Sequence, residues 1–220
     1  MALSIYQILK AKRILDFSAG WGDRMIAAMA SEAERYLGFD PNTDLRSGHL
    51  SAVRTLYPKE KLPEKESEFP ENVKVIYEPF ESATIPKGNS FDLCFTSPPF
   101  FAFEIYTKQP TQSVESFPDF AQWMKKFLFV SLKKAWEVLD MDGHLAIHIV
   151  DAGRNKVVEP MNLFIQYSLA GASYRGVIGT EGASTKVFPI WIWQKTKDND
   201  LFKQSKALSI MQRYYKNLYQ

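Results

Sequence analysis

Residues 95–103 read FTSPPFFAF. Proline has no N–H to donate and its φ is fixed, so Pro98 and Pro99 end the apolar run before them. At the C-terminal edge of a strand their carbonyls are left free and held rigidly. The Ser97 hydroxyl and the Pro98 carbonyl then form a cluster of acceptors beside the aromatic face of Phe100, with Phe101 next in the chain. Such a cluster suits a planar substrate bearing an amine, its ring stacked on Phe100 and its NH₂ donating to the two oxygens. A conjugated amine is a poor nucleophile. Drawing both hydrogens toward acceptors favours a tetrahedral nitrogen with its lone pair aimed at an electrophile. That is catalysis by position and electrostatics, with no strong base required.

A second set of residues lies earlier. In DFSAGWGDR, Asp16 ends a buried run and Gly20 and Gly22 bracket Trp21. Glycines there let the backbone approach a ligand, with the N–H groups of a following helix behind them. The same glycines also serve ordinary strand-to-helix loops. Position 25 is Met25, so the third glycine of the dinucleotide fingerprint is missing, which argues against a nicotinamide enzyme. Asp40 ends a second run; at the same sheet edge its carboxylate could accept both hydroxyls of a ribose, and before Pro41 it serves a turn or helix cap equally well. Glu81 and Ser82 follow the third run, where the base of such a nucleoside would lie, with Glu78 the competing choice.

These residues need a sheet to bring them together, and the pattern predicts one. Strands are expected at 13–19, 36–40, 73–79, 90–96 and 144–150, with DMDG turning the chain into the last. Helices are expected at 22–36, 43–57, 117–139 and around 157–170, the third with apolar positions at Phe120, Trp123, Phe127, Val130, Leu132 and Trp136. The mixed-charge stretch 59–72 reads as a solvated loop and 101–117 as loop. Residues 174–196 read as an antiparallel pair around a polar loop, and 200–219 as an amphipathic helix. Strands alternating with helices, then a hairpin, mean an α/β fold with a mostly parallel sheet in one domain, 1–220.

Composition narrows the rest. The chain has 220 residues, 45% hydrophobic and 24% charged, enough for one large globular core. One cysteine, Cys94, excludes a disulfide framework and places the chain in a reducing compartment, cytoplasmic or nuclear. His144 and His148, four apart on a strand, stand roughly 13 Å from each other and cannot share a metal, so no metal site is expected. No apolar run has the length of a membrane span, and the N-terminus lacks a signal-peptide pattern. Net charge is +2, but residues 195–220 carry six basic residues against two acidic ones. Lys203, Lys206 and Arg213 fall within about 80° on a helical wheel, a candidate phosphate track. On the same helix Ala207, Leu208, Met211, Tyr214, Tyr215 and Leu218 form the stripe expected to be buried.

DFSAGWG, YLGFD and FTSPPF, in that order, resemble the class I S-adenosylmethionine-dependent methyltransferases. The last motif resembles the amino-methyltransferase signature, whose Ser form is most familiar from DNA cytosine-N4 enzymes. The resemblance covers roughly residues 13–195 and implies a Rossmann-like, seven-stranded sheet with an antiparallel C-terminal hairpin strand. It implies S-adenosylmethionine as cofactor. Asp16, Ser18, Ala19, Gly20 and Gly22 would lie at its methionine part, Asp40 and Pro41 at its ribose, and Glu81 and Ser82 at its adenine. Ser97, Pro98, Pro99 and Phe100 would receive the target amine, with Phe101 beside it. The implied acceptor is a nucleic-acid base, adenine N6 or cytosine N4, in DNA or RNA. The same motif also serves protein glutamine and small amines, and a non-catalytic binding or scaffold domain would keep the fold.

The chain departs from the family in two places. Only twelve residues precede the first strand, so the N-terminal motif over the methionine end is shortened or missing, with SIYQILKAK available to supply part of it. No separate target-recognition domain follows. Recognition would fall to FAFEIYTKQPTQSVES, to TEGASTK, to the C-terminal helix or to a partner chain, and the chain could be one domain of a larger protein.

Overall fold

A computed structural model of the chain describes residues 1–65, 68–151, 153–181, 187–198 and 201–219. Seven strands form one sheet: β1 (Arg13–Asp16), β2 (Arg35–Phe39), β3 (Val73–Ile76), β4 (Phe91–Thr96), β5 (Leu139–His148), β6 (Ala172–Glu181) and β7 (Val187–Lys195). Their order is β3-β2-β1-β4-β5-β7-β6. The first five pair in parallel, and β7 runs antiparallel to both β5 and β6. This is the Rossmann-like sheet with its terminal hairpin that the resemblance implies. Order reverses between β1 and β4, and ligands of open parallel sheets bind beyond the strand ends at such a switch point.

Helices cover both faces. α1 (Ala2–Ile8), α2 (Asp23–Met29) and α3 (Arg46–Leu56) lie on one side, where Ile5, Met25 and Val53 pack with Ile14, Tyr36 and Phe95. On the other face α4 (Ser113–Ser116), α5 (Phe120–Trp123), α6 (Phe129–Val138) and α7 (Val158–Ser168) follow, and Trp123, Leu132 and Met161 pack with Leu15, Phe39 and Cys94. Two layers of helix on a sheet buried on both faces require near-continuous apolar strands, as RILD and FDLCFT are. No helix among the described residues is long and apolar enough to cross a membrane.

Three local expectations are corrected. The helix expected at 117–139 starts at Phe120, capped by Asp119, which accepts from the Gln122 N–H at 2.9 Å, and a π-turn at Met124–Leu128 interrupts it. A π-turn adds one residue to the helical repeat and rotates everything after it. Val130, expected on the buried face, is therefore exposed, and Phe129 is buried in its place. DMDG lies within β5: Leu139 pairs with Phe91 and His144 with Leu93, so the intervening residues bulge, with Asp142 at φ +65°. The terminal helix is two pieces, α8 (Leu201–Tyr214) and α9 (Lys216–Tyr219), broken at Tyr215. Ala207 and Leu218 are buried as expected, while the side chains of Lys203, Met211 and Tyr214 lie outside the described residues.

Candidate active site

The C-terminal ends of β1, β2 and β4 surround a cleft with an empty volume of about 1020 Å³, partly open to solvent. Its first wall is the loop between β1 and α2. Ser18, Ala19, Gly20 and Trp21 line it, with Trp21 76% exposed. The loop is held from beneath. Asp16 is fully buried, pairs with Arg24 at 2.7 Å and accepts from the Tyr36 hydroxyl at 2.8 Å and the Ser18 N–H at 3.2 Å. Arg24 in turn donates to the Ser18 carbonyl and itself lines the cleft. The Ala19 N–H donates to the Phe39 carbonyl at 2.8 Å, fixing the loop to β2.

The two glycines do different work. Gly20 sits at φ +55° with nothing but the Ser18 carbonyl oxygen, at 3.9 Å, near its absent Cβ, so its requirement is conformational. Gly22, at φ +93°, is one of close approach: a Cβ there would stand 2.9 Å from His49 Cδ2. His49 is buried, its Nε2 is 2.8 Å from the Gly20 carbonyl and its Nδ1 is 2.8 Å from the Tyr77 hydroxyl. Burial holds its pKa below the ordinary imidazole value. Gly22 thus seats the residue that holds the loop and does not line the cleft.

Asp40 lines the second wall with Pro41 and Asn42. One carboxylate oxygen accepts from the Gly20 N–H at 2.8 Å and the other from the Asn42 N–H at 2.9 Å. Each oxygen keeps a lone pair for a ligand. The side chain is 8% exposed, and burial pushes its pKa up to about 6 against the pull of those two N–H groups. Of the residues offered for the base end, Glu81 lines the cleft and Ser82 does not; Ser82 turns away to donate to the Pro79 carbonyl at 3.2 Å. Glu78 is exposed and stands outside the lining. Phe80 forms the apolar floor, stacked on Phe17 with centroids 5.3 Å apart.

The third wall comes from the proline motif. Ser97 and Pro99 line the cleft, while Pro98 is buried and outside its lining. Phe100 is also outside it, with its ring edge-on to His148 at 6.3 Å. Phe101 is buried at φ +54° in a cluster with Phe120 and Trp123 at 5.3 and 5.7 Å. Asp16 lies beneath the loop and not in the lining. Neither ring therefore lines the cleft: the chain turns after Pro99, Phe100 packs edge-on to His148 and Phe101 joins the cluster of Phe120 and Trp123. Aromatic groups that do line the cleft are Phe17, Trp21, Phe80, Tyr106 and Phe127.

Several cleft residues were not named from the sequence, Arg24, Trp21, Tyr106 and Gln112 among them. Arg24 and Trp21 belong to the glycine loop, and only its folded path shows them at the cleft. Tyr106 and Gln112 come from 101–117, read as a loop and offered whole for recognition without singling out either residue. That segment is tied over the Asp40 side, with the Thr111 hydroxyl donating to the Pro41 carbonyl at 3.3 Å and the Gln109 amide Nε2 donating to the Thr43 hydroxyl at 3.2 Å. Gln112 Nε2 is buried, in the cleft lining, and has no partner. A buried donor left unpaired beside a cavity has room for an acceptor there, a water or a ligand atom.

Solved structures with this fold are numerous. The chain superposes on an rRNA methylase from Streptococcus thermophilus with a TM-score of 0.59 at 11% identity, over 90% of this chain and 96% of that one. A candidate methyltransferase from Streptococcus mutans, in complex with SAH, gives 0.54 at 14% identity over 87% and 96%. StiE O-MT gives 0.58 at 10% identity over 97% and 78%. No protein-family model matches the sequence, and no curated protein matches it. At these identities the likeness is one of fold, and it spans proteins named for different acceptors.

Proposed function

We propose that this chain is an S-adenosylmethionine-dependent methyltransferase acting on an exocyclic amine of a nucleic-acid base, adenine N6 or cytosine N4, in DNA or RNA. One observation carries the reading: Ser97 of the proline motif and Asp40 and Gly20 of the nucleoside edge open into the same cleft. Donor and acceptor would meet there without a conformational rearrangement. The residues present fit the cofactor. Asp40 keeps lone pairs for two ribose hydroxyls, Gln112 offers an unpaired donor, and Asp23, Asp40 and Glu81 outnumber Arg24 in the lining, which favours a cationic sulfonium. When bound, S-adenosylmethionine supplies an electrophilic methyl group. The chain's own part is to hold the amine at Ser97 and to keep its lone pair in line. With Phe100 turned away, the ring of the base stacks on Tyr106 or Trp21.

The same charge balance favours a second reading, a protein-glutamine or small-molecule amine acceptor, because three carboxylates at a cleft repel a phosphate backbone. A labelled-methyl transfer assay separates the two. It offers single-stranded DNA, duplex DNA, RNA and protein extract in parallel, followed by mass spectrometry of nucleosides. Methylated adenine or cytosine is the expected product. Label confined to protein selects the second reading, and no transfer to DNA or RNA overturns the first.

A further inference from the structure

His148 ends β5, the strand parallel to β4, and so stands beside the proline motif at the same sheet edge. Its Nδ1 is 3.2 Å from the Ser97 hydroxyl oxygen. Phe100 and Phe188 close on the ring edge-on from either side, at 6.3 and 6.1 Å. Its Nε2 is buried and has no partner. No carboxylate among the described residues bonds the ring.

From this geometry we propose that Ser97 and His148 form a proton relay that takes the proton released from the acceptor amine. The proposal rests on the amine-acceptor reading. The Ser97 oxygen accepts one N–H of the amine while its own O–H donates to His148 Nδ1. As the nitrogen lone pair forms the new N–CH₃ bond and the S–CH₃ bond breaks, positive charge passes from sulfur to nitrogen. An N–H bond then breaks. Its proton goes to the Ser97 oxygen, the Ser97 hydroxyl proton goes to His148 Nδ1, and the imidazole carries the charge until solvent takes it. His148 acts through Ser97 and is a positioning and relay residue. Phe100, expected to stack on the substrate, here walls the imidazole instead.

The charged groups acting on the ring support a neutral resting state. Burial lowers its pKa first, Arg24 of α2 lowers it further, and Glu104, from the segment after the proline motif, opposes them. Phe188 of β7 adds an apolar wall.

Two measurements test the relay. The first needs no turnover: ¹⁵N NMR of the imidazole in the resting protein. The relay requires the tautomer with hydrogen on Nε2 and Nδ1 accepting, and a pKa below the ordinary histidine range. Hydrogen on Nδ1, donating to Ser97, overturns it whatever the protein methylates. The second is single-turnover transfer to an amine acceptor against pH, with S-adenosylmethionine saturating at every pH so that Asp40 does not shape the profile. The parent loses rate on the acid side as His148 protonates. His148→Gln retains a hydrogen bond to Ser97 but takes no proton, so its rate falls on the order of a hundredfold and the acid limb disappears. A His148→Gln variant with parental rate and limb overturns the relay while the amine reading stands. A parent that methylates no amine overturns the reading itself.

Discussion

The two sides of the cleft are built differently. On the side of β1 and β2, the loop's structural polar contacts are closed: Asp16 with Arg24, Tyr36 and Ser18, and Asp40 with Gly20 and Asn42, at 2.7 to 3.2 Å. On the side of residues 97–113 and His148, Gln112 Nε2 and His148 Nε2 are buried without partners, and Tyr106, Phe103 and Ile105 stand exposed at 54, 69 and 64%. A wall whose geometry is fixed before binding costs a ligand little ordering. A wall with unspent donors gains most from what arrives. Under the proposed function, the first wall would take the cofactor's nucleoside and the second the acceptor.

Breaking the closed wall should cost most. Arg24→Leu leaves the Asp16 carboxylate buried and unpaired, so a loss of about 3–5 kcal/mol is expected in urea unfolding. Adding Asp16→Asn should recover part of it. A loss under about 1 kcal/mol for the single variant would mean that this pair does not hold the loop.

Asp40→Asn is next. It replaces a charged acceptor, and S-adenosylmethionine affinity measured by calorimetry should fall about ten- to a hundredfold, for hydrogen bonds worth about 1.5–3 kcal/mol. Asp40 also sets two opposed pH trends. Its folded pKa of about 6 lies above the ordinary carboxyl value of 3.8, so the folded state binds the proton more tightly. Its contribution to stability is full below pH 3.8 and is lost as pH rises through 6. Cofactor affinity should run the other way, rising to pH 6 and levelling above it, because the ionised carboxylate accepts both hydroxyls. Equal affinities at pH 5 and 7 would remove Asp40 from the ribose site.

The open wall sharpens with Tyr106→Ala, which should weaken acceptor binding by about 1–3 kcal/mol while cofactor affinity holds. Phe100→Ala in parallel should affect acceptor binding less, since that ring faces His148; the reverse ranking would restore Phe100 to the substrate. The smallest effect belongs to the tail. Lys206 and Arg213 are exposed on α8, which lies outside the cleft lining. If they track phosphates, changing both to Gln should flatten the slope of log K against log salt by about 1.4–1.8. An unchanged slope would leave α8 as packing on α7.

Much of this molecule was legible in the chain itself. Apolar runs ended by small residues and carboxylates marked five strands, and the glycine loop, Asp40 and the proline pair stood at their C-terminal ends because parallel strands present those ends together. Period-two and period-3.6 patterns depend on local backbone geometry, so they are written in neighbouring residues. The decisions left to tertiary structure are those that involve one extra residue or a distant partner. The π-turn at Met124–Leu128 reverses which of Phe129 and Val130 is buried, and no local pattern marks it. Phe100 and Phe101 differ by one position and both read as substrate aromatics, yet the turn after Pro99 commits them to His148 and to Trp123. His148 was weighed only as a metal ligand; its place beside Ser97 comes from the pairing of β5 with β4, which joins residues 51 apart. Sequence determines which chemical groups reach the edge of the sheet. Which of them face the cleft is set by packing, because a side chain's direction depends on what fills the space behind it.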